Sequence, residues 1–232
     1  MTTMAAMRVL ALSAALAAGS VVASATAPSG SAEPCPDVEV VFARGSGEAP
    51  GVGGVGQSFI DALRGQIGGK SLGVYAVNYP ASTDFSNSDF PSTVIEGIRD
   101  AVSHVESTAA SCPKTREVLG GYSQGAAVAG YATAAAVPPG VPASVVPPPM
   151  PADIANHVAA VTLFGTPSGQ FLDKYHAPVL VIGPAYRPKL LELCAQGDPI
   201  CGSGDGNDML AHVSYPVNGM TGQAADFASN HL

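Results

Sequence analysis

The chain has no tryptophan and little charge. Of its 232 residues only 12% are Asp, Glu, Lys or Arg, and 10 basic residues face 18 acidic ones, for a net charge of −8. Without a Lys/Arg cluster there is no electrostatic footprint for nucleic acid. The acidic balance also argues against steering of an anionic substrate. Aromatic residues make up only 6%, which leaves little material for a platform that stacks on sugar rings. No internal repeat and no second domain are visible. Beyond the N-terminal region, no apolar run approaches the ~20 residues of a membrane-spanning helix.

What is present begins with the N-terminus, "MTTMAAMRVLALSAALAAGSVVASATAPSGSAEPC". Arg8 precedes an apolar stretch over residues 9–23, and small-residue sites follow at Ala23–Ala25, Ala25–Ala27 and Ala32. This is the pattern of a secretory signal peptide. The expected organisation is a signal over residues 1–32, cleaved somewhere in 25–32, and one domain over 33–232. A membrane anchor is the alternative, but the run is short and rich in Gly and Ser.

The four cysteines are Cys35, Cys112, Cys194 and Cys201. An even number in an exported chain favours two disulfides. Three pairings are possible. Cys194–Cys201 closes a short loop and is the natural local pair, which leaves Cys35–Cys112. Four reduced thiols are the alternative. The spacing does not suit a zinc site, since there is no CxxC pair and no histidine close by.

Strand and helix patterns alternate. "DVEVVFARGSGE" starts as a strand at Val38–Ala43 and ends in a Gly/Ser loop, and "VGQSFIDALRGQIG" has helical spacing. "SLGVYAVNYP" is a second strand, residues 81–92 are a polar loop, and a helix follows with a Val94, Ile98, Val102, Val105 stripe and Ser92 as N-cap. "TREVLGG" is the third strand, followed by a helix over Gln124–Ala136. The Pro-rich stretch 137–151 fits neither a helix interior nor a central strand. It reads as an ordered surface loop, with partner binding as the alternative. "VAAVTLFGTP" is a fourth strand, "APVLVIG" a short extended segment, Lys189–Cys194 a fifth strand, and the C-terminus a helix. The alternation predicts an α/β fold with a mostly parallel sheet covered on both faces.

Within this frame "GGYSQGA" stands between a strand and a helix. Gly121-Tyr122-Ser123-Gln124-Gly125 matches the G-x-S-x-G nucleophile elbow in the context the elbow requires. So sharp a turn strains the nucleophile's backbone and needs small residues two positions to either side. The N-terminus of the following helix directs free N–H groups at a developing anion. A serine needs a general base, and the elbow fold supplies partners in the order Ser, Asp or Glu, His. Among the later histidines, His157 directly precedes a strand, His176 comes before the acid, and His231 is penultimate; His212 is the candidate base. Asp198 is the candidate acid, ahead of Asp205 and Asp208 in the Gly-rich run and of Asp153, Asp173, Glu192 and Asp226. It follows directly on a strand, where α/β sites form, inside the loop that Cys194–Cys201 would close. Oxyanion donors are expected at the Gln124 N–H and at Ser46 in "FARGSGE".

"VVFARGSGE", "NYPAS", "GGYSQGAAV", "LFGTP" and "CAQGDPIC…AH" together resemble the cutinase family of serine esterases, over nearly the whole chain from Cys35 onward. The Ala/Pro-rich stretch and the ending "VNGMTGQAADFAS" look most like the exported cutinase-like enzymes of mycobacteria and related actinobacteria. The resemblance implies a small α/β-hydrolase with a five-stranded, mostly parallel sheet and no large lid. It implies a triad of Ser123, Asp198 and His212, oxyanion donors at Ser46 and Gln124, and disulfides Cys35–Cys112 and Cys194–Cys201. It further implies hydrolysis of short- to medium-chain acyl esters, or the related phospholipase, lipase or acyltransferase chemistry, by a secreted monomer that needs no metal or cofactor. Two departures stand out: Gly47 replaces the Thr that follows "RGS" in the family, and the Pro-rich insert is unlike compact fungal members. Loops 81–91 and 171–186 are candidates to border an acyl groove, with Leu172, Val179, Leu180 and Ile182 as candidate lining and the core as the commoner place for each. A non-enzymatic surface-binding protein is the reading from a different class.

Overall fold

The computed structural model of the chain describes residues 34–202 and 208–232. The expected signal segment and Asp205 lie outside the described residues. Five strands form one sheet: β1 (Val38–Ala43), β2 (Leu72–Ala76), β3 (Arg116–Tyr122), β4 (Val158–Phe164) and β5 (Leu190–Leu193). Their order is β2-β1-β3-β4-β5, and every neighbouring pair is parallel. Expectation and structure agree on five strands; the sheet is wholly rather than mostly parallel. Among the described residues six α-helices accompany it: α1 (Gly53–Arg64), α2 (Phe90–Ser111), α3 (Gln124–Ala132), α4 (Gly169–Lys174), α5 (Met209–His212) and α6 (Met220–Ser229).

Strands buried on both faces need apolar side chains in both directions, and β4, "VAAVTLF", is buried at every position. Alternate residues feed two cores. Val41, Leu119 and Val161 meet α2 and α3 on one face. Phe42, Val118 and Phe164 meet Phe59 and Leu63 of α1 and Ala224 and Ala225 of α6 on the other.

Several boundaries differ from the sequence reading. β2 ends at Ala76, opposite Phe42 in the ladder, rather than running on to Pro80. α2 begins at Phe90, so Ser92 lies inside its first turn. There the Ser92 hydroxyl donates to the Asp89 carbonyl (2.6 Å) instead of capping a free N–H. α3 stops at Ala132, short of Ala136, with Thr133 as its C-cap. Residues 177–183 pair with no strand. The short helices α4 and α5 escaped the sequence reading; each is too brief to show a periodic apolar stripe.

The strand order reverses between β1 and β3. Open α/β sheets form their crevice at such a switch point, beyond the strands' C-terminal ends. Ala43 and Gly121 are register partners there, so the loop after β1 and the turn after β3 emerge side by side.

Candidate active site

Ser123 occupies the turn between β3 and α3 with φ 56° and ψ −118°. This left-handed geometry is costly for a residue with a side chain and persists only where its surroundings enforce it. The flanking glycines show the enforcement. A Cβ on Gly121 would lie 2.1 Å from the Gly125 carbonyl oxygen, and one on Gly125 would lie 2.0 Å from that of Ala43. Neither position has room for a methyl group. The Ser123 N–H donates to the Phe164 carbonyl (2.8 Å), fixing the turn to the end of β4.

His212 closes α5, and its Nε2 stands 2.9 Å from Ser123 Oγ. Its Nδ1 stands 2.8 Å from Asp198 Oδ2. Asp198 is fully buried. Burial alone would raise its pKa, but hydrogen bonds from His212, from the Tyr215 hydroxyl and from the Ile200 N–H outweigh it and hold the carboxyl below its ordinary range. The Tyr215 bond is 2.6 Å and the Ile200 bond 2.8 Å. Asp198 is thus an ionised, immobile acceptor facing the imidazole. Cys194–Cys201 brackets its loop, and Cys35–Cys112 ties residue 35 to the end of α2. The two disulfides use all four thiols.

Among the described residues no other histidine or candidate acid hydrogen-bonds to Ser123, His212 or Asp198, and His176 borders the cavity that Ser123 lines. His157 directly precedes β4, and His231 Nδ1 meets the Phe227 carbonyl. Asp208 accepts from the Leu210 N–H at the start of α5.

The loop after β1 carries Ser46. Arg44 braces it, donating from Nε to the Glu48 carbonyl (2.9 Å) and from Nη2 to the Tyr79 carbonyl (2.6 Å). Glu48 in turn accepts from the N–H groups of Gly45 (2.6 Å) and Gly54 (2.7 Å). The Gly47 N–H donates to the carbonyl of Ala81, itself held at φ 49°. Gly47 has φ +75°, and a Cβ there would meet Thr83 at 2.8 Å, so this backbone is suited to glycine rather than the family's threonine. Ser46 Oγ is buried without a hydrogen-bond partner among the described residues. It borders the same cavity as Ser123 and Gln124. Gln124 opens α3, so its N–H has no partner within the helix.

Three positions went unnoticed in the sequence. Tyr215 supports Asp198 and accepts from the Ala195 N–H (3.1 Å). Tyr122, the variable residue of the elbow, donates its hydroxyl to the His212 carbonyl (2.7 Å). Gly165, in "LFGTP", leaves space for the imidazole, since a Cβ there would lie 3.0 Å from His212 Cε1. Of the four candidate groove residues, Leu172 borders the cavity. Val179 is exposed, Ile182 is in the core and Leu180 packs on Gly130, so the expectation fails for these three.

The Cutinase family model matches residues 34–232. The chain belongs to the cutinase family. Among relatives of this cutinase, the probable carboxylesterase Culp7 of Mycobacterium tuberculosis is 68% identical over 72% of this chain and 88% of its own. The phospholipase Culp4 of the same organism is 46% identical over 90% of this chain and 84% of its own. Among solved structures, a Trichoderma reesei cutinase superposes with a TM-score of 0.60 at 33% identity, over 85% of this chain and 77% of its own. The protein is a cutinase-like carboxylesterase, a carboxylic ester hydrolase, and the non-enzymatic reading falls. Among the described residues no helix is long and apolar enough to cross a membrane. The disulfides and the relatives are consistent with a secreted protein.

Proposed function

We propose that this esterase hydrolyses short- to medium-chain acyl esters through a triad of Ser123, His212 and Asp198. The observation that carries the reading is the unbroken hydrogen-bonded chain Ser123 Oγ–His212–Asp198 on a strained turn. His212 Nε2 takes the Ser123 proton as Oγ bonds to the ester carbonyl carbon. The carbonyl electron pair moves onto oxygen, where the Gln124 N–H and Ser46 stabilise it. The oxyanion collapses, the ester C–O bond breaks, and His212 passes its proton to the departing alcohol. Water then attacks the acyl-enzyme with His212 again as base, releasing the acid and restoring Ser123. Asp198 stays ionised and holds the imidazole tautomer. The enzyme acts as a monomer after export, with a signal over residues 1–32 cleaved somewhere in 25–32.

The test is initial rates on p-nitrophenyl esters from acetate to palmitate, for wild type and Ser123→Ala. Loss of about 10⁴-fold or more in the variant supports the triad; a variant as active as wild type refutes it.

A second reading changes the substrate. Met209, Leu210 and Val213, around His212, are more than half exposed, an apolar rim suited to aggregated lipid, and Culp4 is named a phospholipase. Fatty acid released from phosphatidylcholine vesicles faster than from soluble esters would favour it.

A further inference from the structure

We infer that the Pro-rich segment 137–149 is the far wall of an internal acyl-chain chamber opening at Ser123, and that this wall sets the longest acyl chain the enzyme handles well. The inference deepens the triad reading and rests on it.

A cavity of about 760 Å³ has Ser123, His212, Ser46 and Gln124 at one end. Its size is that of a small-molecule site, ~300–1,000 Å³. From the nucleophile it follows two helical stripes. Gln124, Ala127 and Tyr131 share one face of α3, and Ala134 continues the line beyond the helix end. Val94, Ile98 and Val102 recur every four residues on α2. Spacings of three and four put side chains on one helical face, so each stripe is a continuous wall. Segment 137–149 closes the far side with Val141, Val145 and Pro147.

The chemistry of these walls selects the occupant. Away from Ser123 they are mainly hydrocarbon. The Tyr131 hydroxyl is already donated to the Pro178 carbonyl. A polar occupant would lose hydration without replacement, whereas a methylene chain gains by leaving water. Direction follows from the proton path. His212 must reach the leaving oxygen, so the alcohol lies on the His212 side, beside the exposed Met209 and Val213. The acyl group then extends the other way, along α3.

Depth follows from helix geometry. Gln124 to Ala132 is nine residues, and the rises between its ends add to ~12 Å at ~1.5 Å each. With C–C bonds of ~1.52 Å an extended chain advances roughly 1.25 Å per carbon, so this depth holds about ten carbons.

The wall is built as a fixed element. Its turns are closed by the Val141 N–H to the Pro138 carbonyl (3.2 Å) and the Val145 N–H to the Pro142 carbonyl (3.0 Å). Its prolines restrict φ. Arg99 Nη2 on α2 holds it from outside through the Val145 carbonyl (3.0 Å).

The experiment compares kcat/KM on acetate, butyrate, decanoate and palmitate p-nitrophenyl esters for wild type, Val141→Trp, Ala134→Trp, Arg99→Ala and Ser123→Ala. Wild type is expected to gain about two- to fourfold per added methylene up to about decanoate, then fall at palmitate. Val141→Trp shortens the chamber and lowers the decanoate/acetate ratio about tenfold or more; Ala134→Trp does the same from a second wall and decides the matter if the first variant fails to fold. Arg99→Ala loosens the wall and raises the palmitate/decanoate ratio about threefold. Folded tryptophan variants with unchanged ratios overturn the chamber while leaving the triad intact. A folded wild type inert on every ester, or a Ser123→Ala enzyme as active as wild type, overturns the triad reading and the chamber with it.

Discussion

Glu117 is the most informative residue to perturb outside the catalytic end of the sheet. Its side chain is fully buried on β3, and neither carboxylate oxygen has a hydrogen-bond partner among the described residues. The parallel register sets it beside Glu39 of β1. Burial first, and the Glu39 charge second, push its pKa from 4.5 up to about 8. Near neutral pH the carboxyl is therefore protonated in the fold and ionised in the unfolded chain. Between the two values the native state holds more protons, so stability is complete below about pH 4.5 and falls as pH rises towards 8. The difference of 8 minus 4.5 corresponds to about 4–5 kcal/mol at about 1.4 kcal/mol per unit. That is a large share of the ~5–15 kcal/mol a domain possesses. Glu117→Gln keeps the shape and removes the titration. It is expected to be about 1–2 kcal/mol less stable than wild type near pH 4.5, because the amide N–H groups are unpaired. It is expected to be about 2–3 kcal/mol more stable at pH 8. Urea unfolding at several pH values between 4.5 and 8 reads this directly, and the difference between the two proteins cancels the other titrating groups. Parallel stability curves would refute the reasoning.

Other outcomes follow from the site. Ser123→Gly should relieve the left-handed strain and raise stability by about 1 kcal/mol while abolishing esterase activity, checked by melting and by rate. Asp198→Asn should lower kcat by about 10⁴ through the wrong imidazole tautomer, with the fold intact by circular dichroism. Tyr215→Phe removes a hydrogen bond to a charged carboxylate and should cost about 1.5–3 kcal/mol of stability, with a smaller loss of kcat than Asp198→Asn. Replacing Cys194 and Cys201 by Ser opens a loop whose closure is worth about 2–3 kcal/mol, and kcat should fall because Asp198 loses its frame. Equal kcat in the two proteins would show that Tyr215 and the Ile200 N–H suffice to hold it.

The parts of the fold legible in the sequence were those with a strong local pattern. β1 was read to the residue because "VEVVFA" is apolar and ends at a Gly/Ser loop. The elbow was legible because its glycines answer to steric contacts as short as 2.0 Å, and the proposed partners Asp198 and His212 follow from chain order and strand ends. What stayed hidden depends on contacts distant in sequence. Tyr215 in "HVSYP" matters only because folding carries its hydroxyl to Asp198. The end of β2 at Ala76 leaves no local mark, since the apolar pattern runs on through Val77. Val179, Leu180 and Ile182 stay undecided between lining and core in the sequence because an apolar loop residue looks alike whether it faces a cavity, the core or water. The Pro-rich stretch showed that it was neither helix nor strand, but its place against α2 rests on Arg99, far away in sequence.

The contacts around the elbow also bear on how such an enzyme can change over generations. A methyl group at Gly121 runs into Gly125, and one at Gly125 runs into the end of β1. Neither glycine can be replaced first and its neighbour adjusted afterwards, so single steps at the turn lead downhill. The segment beyond α3 has no such restriction: it crosses no strand, and many of its side chains face solvent. If the proposed wall sets chain length, new substrate preferences on this scaffold are reached by editing it, one tolerated substitution at a time, while the turn stays where the packing confines it.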